Sequence, residues 1–409
     1  MSDIAILGGG MMGCCAALEL AQRGTHVVLI DQAASLLSAA AAANEGKLHF
    51  GYVYSRDTSM ASAWLMQRGA LAMAPALRRW LGDAAVERLA RSGGYRYAVH
   101  RDSLSSPDEV AAAFARFTSL AGELLSGARP DCFGADPRRP PVRVALADDC
   151  DPAQIQGLFT TDEISLDNRE VSDMLRAAVA AEPRIEVLLG HRALSASLAP
   201  DGVTVQLAGP GGSHTRRFGH VVNATWTSRL ALDATVGLAP PPEWLFRLKY
   251  LVRIRPSRPV AMPPTTICVG GFGDVVPLPD GKLVLSWYPL GRQGVSAALA
   301  PPDWGTSMAG EAADAMRAGM VAGLGALFPP LLALLDDPAL TSAEVSGGVI
   351  FAHGASDVND PGSGLHNRHR IGRRSLGRSH SVDPGKWTTC PLFALEVAEH
   401  IAPAARRAA

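Results

Sequence analysis

A glycine run between a short apolar strand and a helix constrains this chain more than any other feature. Ser2 to Leu7 reads as a buried strand, Gly8-Gly9-Gly10-Met11-Met12-Gly13 follows it, and Cys14 to Arg23 has helical spacing. A Gly24-Thr25 turn, a second strand His26–Ile30 and the acid Asp31 complete the unit. G-x-G-x-x-G alone is a weak signal, but strand, glycines, helix, strand and acid within roughly thirty residues is the βαβ context the motif requires. Each part has a physical task. Gly8 makes the tight turn, Gly10 lets the backbone approach a pyrophosphate, and Gly13 lets helix pack on strand. The helix N-terminus around Met11 and Met12 offers free N–H groups and a partial positive charge to phosphates. Asp31 can accept ribose hydroxyls. The chain is expected to hold a dinucleotide.

At 409 residues the chain exceeds one small core and predicts two domains, interleaved or in series. Lys and Arg total 38 against 39 Asp and Glu, so no net field recruits nucleic acid or a membrane surface. No apolar run reaches the ~18–20 residues of a membrane span. The Ala-rich stretch Ala33–Ala43 is expected to be a buried helix. With a strand read from residue 2, no signal peptide is expected. The six cysteines, Cys14, Cys15, Cys132, Cys150, Cys268 and Cys390, form no C-x-x-C pair, as expected of reduced thiols in a cytoplasmic protein. No metal site is expected: His366-Asn367-Arg368-His369-Arg370 lacks carboxylate or thiolate company and reads as a polar loop.

Further along, Arg184–Leu189, Gly202–Leu207 and His220–Trp226 read as strands, the middle one pairing across a Gly209–Gly212 turn. No second dinucleotide motif exists. Gly270-Gly271-Phe272-Gly273 has the glycines, but Asp274-Val275-Val276-Pro277 cannot start the helix. Electrons taken up at the single site must therefore leave to oxygen, a quinone or a protein carrier rather than to bound NAD(P). The middle of the chain, with strands at 94–100, 249–255, 265–269, 275–278 and 282–288 and a Pro279-Asp280-Gly281 hairpin turn, predicts a mostly antiparallel substrate domain. Its site candidates are Tyr250, Arg253, Trp287 and Tyr288; Arg253 reads either as a carboxylate clamp or as a solvated strand arginine. Residues 68–90 and 304–335 read as helices packing the outside, and 126–141 as a surface loop.

Three pieces of the chain resemble the D-amino acid oxidase-like (DAO) superfamily of FAD-dependent oxidoreductases. They are Gly8–Gly13 with Asp31, the strand end Val221-Val222-Asn223-Ala224-Thr225, and the C-terminal Val382-Asp383-Pro384-Gly385-Lys386-Trp387-Thr388-Thr389-Cys390-Pro391. Trp226 stands where the second motif usually has glycine. The third piece is similar to the "G-G-K-x-T-T" of the glycerol-3-phosphate dehydrogenase branch, and Ile350–Asp357 to that branch's "I-G-T-T-D". The resemblance implies an α/β (α+β) fold: a Rossmann-like FAD-binding domain in three pieces (1–55, 150–240, 341–409) with an interleaved, mostly antiparallel substrate-binding domain (56–149, 241–340).

It also implies FAD as cofactor, held by Gly8, Gly10, Met11, Met12, Gly13, Asp31, Asn44, Glu45, Gly46, Ala224, Gly385, Lys386, Trp387, Thr388 and Thr389. The residues of the C-terminal loop suit the same role: Gly385 gives a turn, Thr388 or Thr389 an N-cap, and Pro391 a first-turn residue, aiming backbone donors at one spot. His49 reads as a flavin hydrogen-bond partner, a base, a covalent anchor or a satisfied core histidine. Lys47 reads as a flavin-adjacent cation or, by default, a surface lysine. A cysteine linkage to the flavin stays open. The expected reaction is oxidation of a CH–NH bond in a small amine or amino acid by hydride transfer to flavin N5, with CH–OH oxidation of a 2-hydroxy acid or polyol as the alternative. A non-catalytic flavin-binding subunit is the third reading, and a hydroxylase is disfavoured. Among these candidates His49, Lys47, Tyr250 and Arg253 carry the expected catalysis.

Overall fold

A computed structural model describes residues 3–403. The opening unit forms as expected: β1 is Ile4–Leu7, α1 is Met11–Gln22 and β2 is Val27–Ile30, while Ser2 lies outside the described residues. β1 sits inside a six-stranded sheet, pairing parallel with β2 on one side and with His220–Asn223 on the other. Ile185–Leu188 extends the β2 side, and the hairpin Gly372–Leu376/Ser379–Asp383 extends the other. Every residue of β1 and β2 is buried, which is why both read as unbroken apolar runs rather than alternating ones. Successive side chains go to opposite faces. Ile4, Ile6, Val27 and Leu29 pack against α1 and the other helices, while Ala5, Leu7, Val28 and Ile30 meet Val203, Val205 and Leu207. Those last three belong to a three-stranded meander, Arg192–Ala199, Gly202–Gly209 and Gly212–Phe218.

The second layer is a large sheet in the order 292–296, 244–254, 283–287, 273–277, 265–268, 96–100, 155–160 and 142–144, with 344–353 also paired to 244–254. Only 265–268 with 96–100 pairs parallel, so the sheet is mostly antiparallel, as expected. Strands Ile155–Thr160 and Glu344–His353 lie in this sheet, although the sequence boundaries put both with the nucleotide half. The helix expected over 68–90 is two helices, Ala61–Leu81 and Asp83–Arg88. The first does not pack the outside: Leu65, Met66, Ala70 and Met73 join the core shared with α1 and the last helix, Cys390–Ile401. The second expected helix is Gly310–Gly325 followed by a 3-10 segment, Pro329–Asp336.

One of the local expectations needs correction. Ala33–Ala43 is not a helix but a series of turns, with Leu37 at φ 59°. Its backbone is claimed by tertiary partners: Leu37 N–H donates to Gly9 O at 2.9 Å, and Ala41 O accepts from Asn44 and Asn168 at 2.8 and 2.9 Å. Those bonds outweigh the intrinsic preference of alanine. The 126–141 stretch is irregular, as expected, but pinned rather than loose, because Cys132, Phe133 and Ala135 are buried.

A histidine stack at the sheet's far side gives the fold a pH dependence. His220 Nδ1 lies 3.0 Å from His380 Nε2 with the rings stacked, and His400 meets His380 edge-on. Ser375 Oγ lies 2.9 Å from His380 Nδ1, and Arg378 lies 3.4 Å from His220. Burial, then the charges of His220, His400 and Arg373, pull His380 down to about 3. An unfolded histidine titrates near ~6.5, so below that pH the unfolded chain takes up a proton the folded one refuses. Stability is thus present above ~6.5 and lost as pH falls. In urea titrations at pH 7 and pH 5, His380→Gln is expected to reduce that loss by about 1–2 kcal/mol; an unchanged loss would contradict the assignment.

Candidate active site

The C-terminal ends of β1, β2 and His220–Asn223 open into a cavity of ≈ 840 Å³ whose opposite wall is the large sheet. In an open parallel sheet, ligands bind in such a crevice. The glycines at its nucleotide end behave as the motif requires. Gly8 has φ 104°, and a Cβ there would sit 2.5 Å from Ala224 O. A Cβ on Gly13 would sit 1.8 Å from Gly8 O. On Gly10 it would meet no protein atom within 4 Å, so the space above Gly10 opens into the cavity. No side chain caps α1 and no acid occupies its first turn, so the amides around Met11 and Met12 are left for an anion. Asp31 accepts from Gly9 N at 2.5 Å and from Ala33 N at 2.7 Å. It holds the loop in shape and still lines the cavity, with lone pairs to spare.

Past the nucleotide end, Asn44 and Gly46 shape the turn into the strand Lys47–Leu48. Asn44 Oδ1 accepts from Gly46 N at 2.8 Å, and Gly46 has φ 64°. Glu45 lines the cavity 3.9 Å from Lys249. Lys47 is not a surface lysine. Its Nζ donates to Tyr97 Oη at 2.8 Å and Thr266 Oγ1 at 2.7 Å, lies 3.1 Å from Glu163, and sits over the rings of Tyr95 and Tyr97. Glu163 has no exposed surface and also accepts from Tyr97 Oη and Phe50 N, each at 2.5 Å. Beside this pair His49 is buried, and its Nδ1 has no partner. Burial, then the charges of Lys386, Lys47 and Arg368, hold it well below its ordinary pKa, so it stays neutral.

The C-terminal loop reaches the same place. Gly385 has φ 65°, and its carbonyl accepts from buried Arg368 at 2.6 Å. Thr388 is not the N-cap. Its hydroxyl donates to Lys47 O at 3.0 Å and accepts from His49 N at 3.1 Å, locking the 47–49 strand to the loop. Thr389 is the N-cap residue, but its hydroxyl turns back to Pro384 O and Lys386 O instead of capping. Pro391 occupies the first helical turn, as expected. Arg368 Nε and Trp387 Nε1 are buried without partners, as is His49 Nδ1, and all three residues line the cavity. Orphaned buried polar atoms on one wall call for a polar ligand. Arg368 is the residue the polar-loop reading passed over.

Trp226 lines the cavity at φ 56°, so it keeps the left-handed turn a glycine would make, at a cost of about 1–3 kcal/mol. Its Nε1 donates to Val349 O at 2.7 Å, which holds the ring in place.

Two expected catalytic residues are not on the cavity. In strand Trp244–Ile254, Arg247, Lys249 and Leu251 face the cavity, so Tyr250 points the other way. Its hydroxyl donates to Gly305 O at 3.2 Å, and its ring packs with Met316 and Met320. Arg253 is buried beyond the cavity, with Nη2 3.4 Å from Ala42 O, so neither the clamp nor the solvated reading holds. Arg247 is the arginine sequence reasoning missed; counting back by twos from Leu251 would have found it. Its Nη1 donates to Tyr288 Oη at 2.9 Å and to Asp357 at 3.2 Å, while Nε is buried and unpartnered. Tyr288 is on the wall, as expected; Trp287 faces Gly323 instead. Burial raises the Asp357 pKa, but hydrogen bonds from Tyr288 and Val358 N and the charges of Arg247 and Arg292 outweigh it, holding the carboxyl below its usual range.

All six cysteines are free and buried. Burial pushes Cys268 up to about 12 and Cys390 higher still, so neither wall thiol is activated for a flavin linkage. Among the described residues no grouping of three His, Cys, Asp or Glu is placed to hold a metal ion, and no helix is long and apolar enough to cross a membrane.

The cavity's features fit FAD: bare backbone over Gly10, an open helix N-terminus and a cationic far wall with orphaned donors. Comparison with known proteins agrees. Solved structures of similar fold include glycine oxidase from Geobacillus kaustophilus (18% identity, TM-score 0.64, covering 97% of this chain and 94% of that one). FAD-bound L-α-glycerophosphate oxidase from Mycoplasma pneumoniae is another (16%, 0.64, 97% and 94%). A third is NikD, an unusual amino acid oxidase essential for nikkomycin biosynthesis (16%, 0.66, 100% and 95%). At these identities the likeness is one of fold. No curated protein matches the sequence. The family described as "DAO: FAD dependent oxidoreductase" matches residues 3–372, nearly the whole chain though short of the Gly385–Thr389 loop. The chain belongs to the DAO family of FAD-dependent oxidoreductases and is an FAD-dependent oxidase or dehydrogenase.

Proposed function

We propose that the protein oxidises the CH–NH bond of a small amino acid, passing the electrons on to oxygen, a quinone or a protein carrier. The observation that carries this reading is Arg247. It is a buried guanidinium on the cavity wall, oriented by Tyr288 and Asp357, with an unpartnered Nε that can donate to a substrate carboxylate. Asp357 is shared with Arg292, whose Nε lies 3.1 Å from its other oxygen, so two cations face one anion and a further negative group is welcome. Two of the structural relatives named above are a glycine oxidase and an unusual amino acid oxidase, which supports C–N over C–O oxidation.

When bound, FAD supplies the acceptor for a hydride from the substrate carbon. The chain's own residues do the rest. Gly8, Gly10, Gly13 and the α1 amides would hold the pyrophosphate, and Asp31 the ribose. Ala224, packed against Gly8, would border the nucleotide half. Asn44, Glu45, Gly46, Gly385, Thr388 and Thr389 would shape the ring's surroundings, while Lys386, Arg368 and Trp387 would present charge and donors to its polar edge. Neutral His49, with Nδ1 free, would offer a hydrogen bond to the flavin or the substrate, while burial and the charges of Lys386, Lys47 and Arg368 oppose its taking up a full proton. Lys47 would act through the strand it anchors.

The test pairs an amino acid with its decarboxylated amine and its 2-hydroxy acid in steady-state kinetics, in wild type and Arg247→Gln. The amino acid is expected to be the best wild-type substrate. Arg247→Gln is expected to raise its KM by about 10- to 100-fold and leave the decarboxylated amine unchanged. A wild type that prefers the hydroxy acid, or an Arg247→Gln variant with unchanged KM, would overturn the proposal.

A further inference from the structure

Four carboxylates line the cavity, Asp31, Glu45, Asp274 and Asp303, and three have work in the fold. Asp31 binds two loop amides, Glu45 stands 3.9 Å from Lys249, and Asp303 is exposed and accepts from Gly305 N. Asp274 differs. Among the described residues it has no ion-pair partner and one hydrogen bond, from the Thr266 hydroxyl to Oδ1 at 2.6 Å.

The register of the large sheet places it. Ser286, Asp274, Thr266 and Tyr97 are successive cross-strand neighbours, one per strand. Such a row shares one face, and Asp274 and Thr266 line the cavity. Ser286, wholly buried beside Asp274, has an Oγ with no partner. On the other side, Thr266 takes a hydrogen bond from Lys47 while giving its own to Asp274. The Lys47 charge is answered by Glu163 at 3.1 Å and not by Asp274. The Lys47–Glu163 pair is therefore neutral as a unit, and the Asp274 carboxylate faces the cavity uncompensated.

We infer that Asp274 is the substrate's ammonium-binding and specificity-determining residue. This rests on the reading of the site as an amino acid oxidising centre and deepens it. Arg247 takes the carboxylate end, Asp274 the nitrogen end, and the substrate class is a small zwitterion. A 2-hydroxy acid lacks the cation and would leave Asp274 unanswered, so Asp274 discriminates against it. Thr266 is a positioning residue, fixing the carboxylate's orientation.

The experiment measures ligand binding through the change in flavin absorbance, in wild type, Asp274→Asn and Asp274→Glu. The probes are glycine, alanine, glycolate and lactate, with retained flavin and circular dichroism as controls for folding. Asp274→Asn is expected to weaken glycine and alanine by about 10- to 100-fold in Kd and to change glycolate and lactate by less than about twofold. Asp274→Glu is expected to restore part of the amino acid affinity. A wild type that prefers amino acids, with Asp274→Asn keeping the same preference, overturns this inference alone. A wild type that prefers hydroxy acids, or binds none of the four probes, overturns the functional reading and this inference with it.

Discussion

Replacing Gly10 by glutamate is expected to leave a folded protein that has lost its flavin. Gly10 has φ −76°, which any residue adopts, and a Cβ there meets no protein atom within 4 Å. The new side chain therefore strains nothing in the fold and enters the cavity. There it displaces the pyrophosphate and sets a carboxylate against phosphate at the open end of α1. A loss of at least roughly a hundredfold in FAD affinity is expected, about 2.7 kcal/mol or more. Gly13→Val is the contrast. Its Cβ would fall 1.8 Å from Gly8 O, so helix and strand must separate, and the protein loses stability as well as cofactor. Equilibrium titration of the apoproteins with FAD, beside their urea midpoints, checks both. A Gly10→Glu protein that binds FAD like wild type would place the cofactor elsewhere.

The second large effect is at Lys47 and Glu163, where side-chain exposures of 4% and 0% make the ion pair a buried one. Removing one partner of such a pair leaves an uncompensated charge and typically costs about 3–5 kcal/mol. Lys47→Met and Glu163→Gln are each expected to fall in that range, measured by urea unfolding of the FAD-loaded protein. The double variant is expected to cost less than the sum, because no lone charge remains. Lys47→Met should also slow flavin reduction, since the strand carrying His49 loses its anchor. If each single variant cost under about 1 kcal/mol, Lys47 would be behaving as a surface lysine, and the network described here would be wrong.

Much of this fold was legible because its defining unit is local. β1, α1, β2 and Asp31 carry every signal within one stretch of chain, so glycine spacing and apolar runs sufficed. The Ala33–Ala43 error has the opposite cause. Alanine content argued for a helix, but the bonds that decide the segment come from Gly9, Asn44 and Asn168. The default reading of Lys47 as a surface lysine fails for the same reason: Tyr97 and Thr266 lie 50 and 219 residues away. No pattern around Lys47 announces them.

The arginine on the substrate strand turns on where along the strand the cavity lies, not on which face meets it. The sequence reads a strand over 249–255 and offers Arg253; the strand runs over Trp244–Ile254, and the part of this face that borders the cavity is Arg247 to Leu251, upstream of Arg253. A strand buried on both faces carries no exposure pattern to mark its start or the stretch that meets a cavity, and here only Trp244 and Lys249 keep appreciable exposure. The Gly385–Thr389 loop borders the cavity through Gly385, Lys386 and Trp387, and Thr388 serves as a clamp on Lys47–His49 rather than a cap. The motif conveyed position, and the partner conveyed the task.

The most direct measurement is the flavin absorbance of the purified protein, under anaerobic conditions, as small amino acids and their 2-hydroxy acids are added in turn. The account predicts a flavin band that bleaches with amino acids and persists with hydroxy acids. Bleaching by hydroxy acids alone would contradict it.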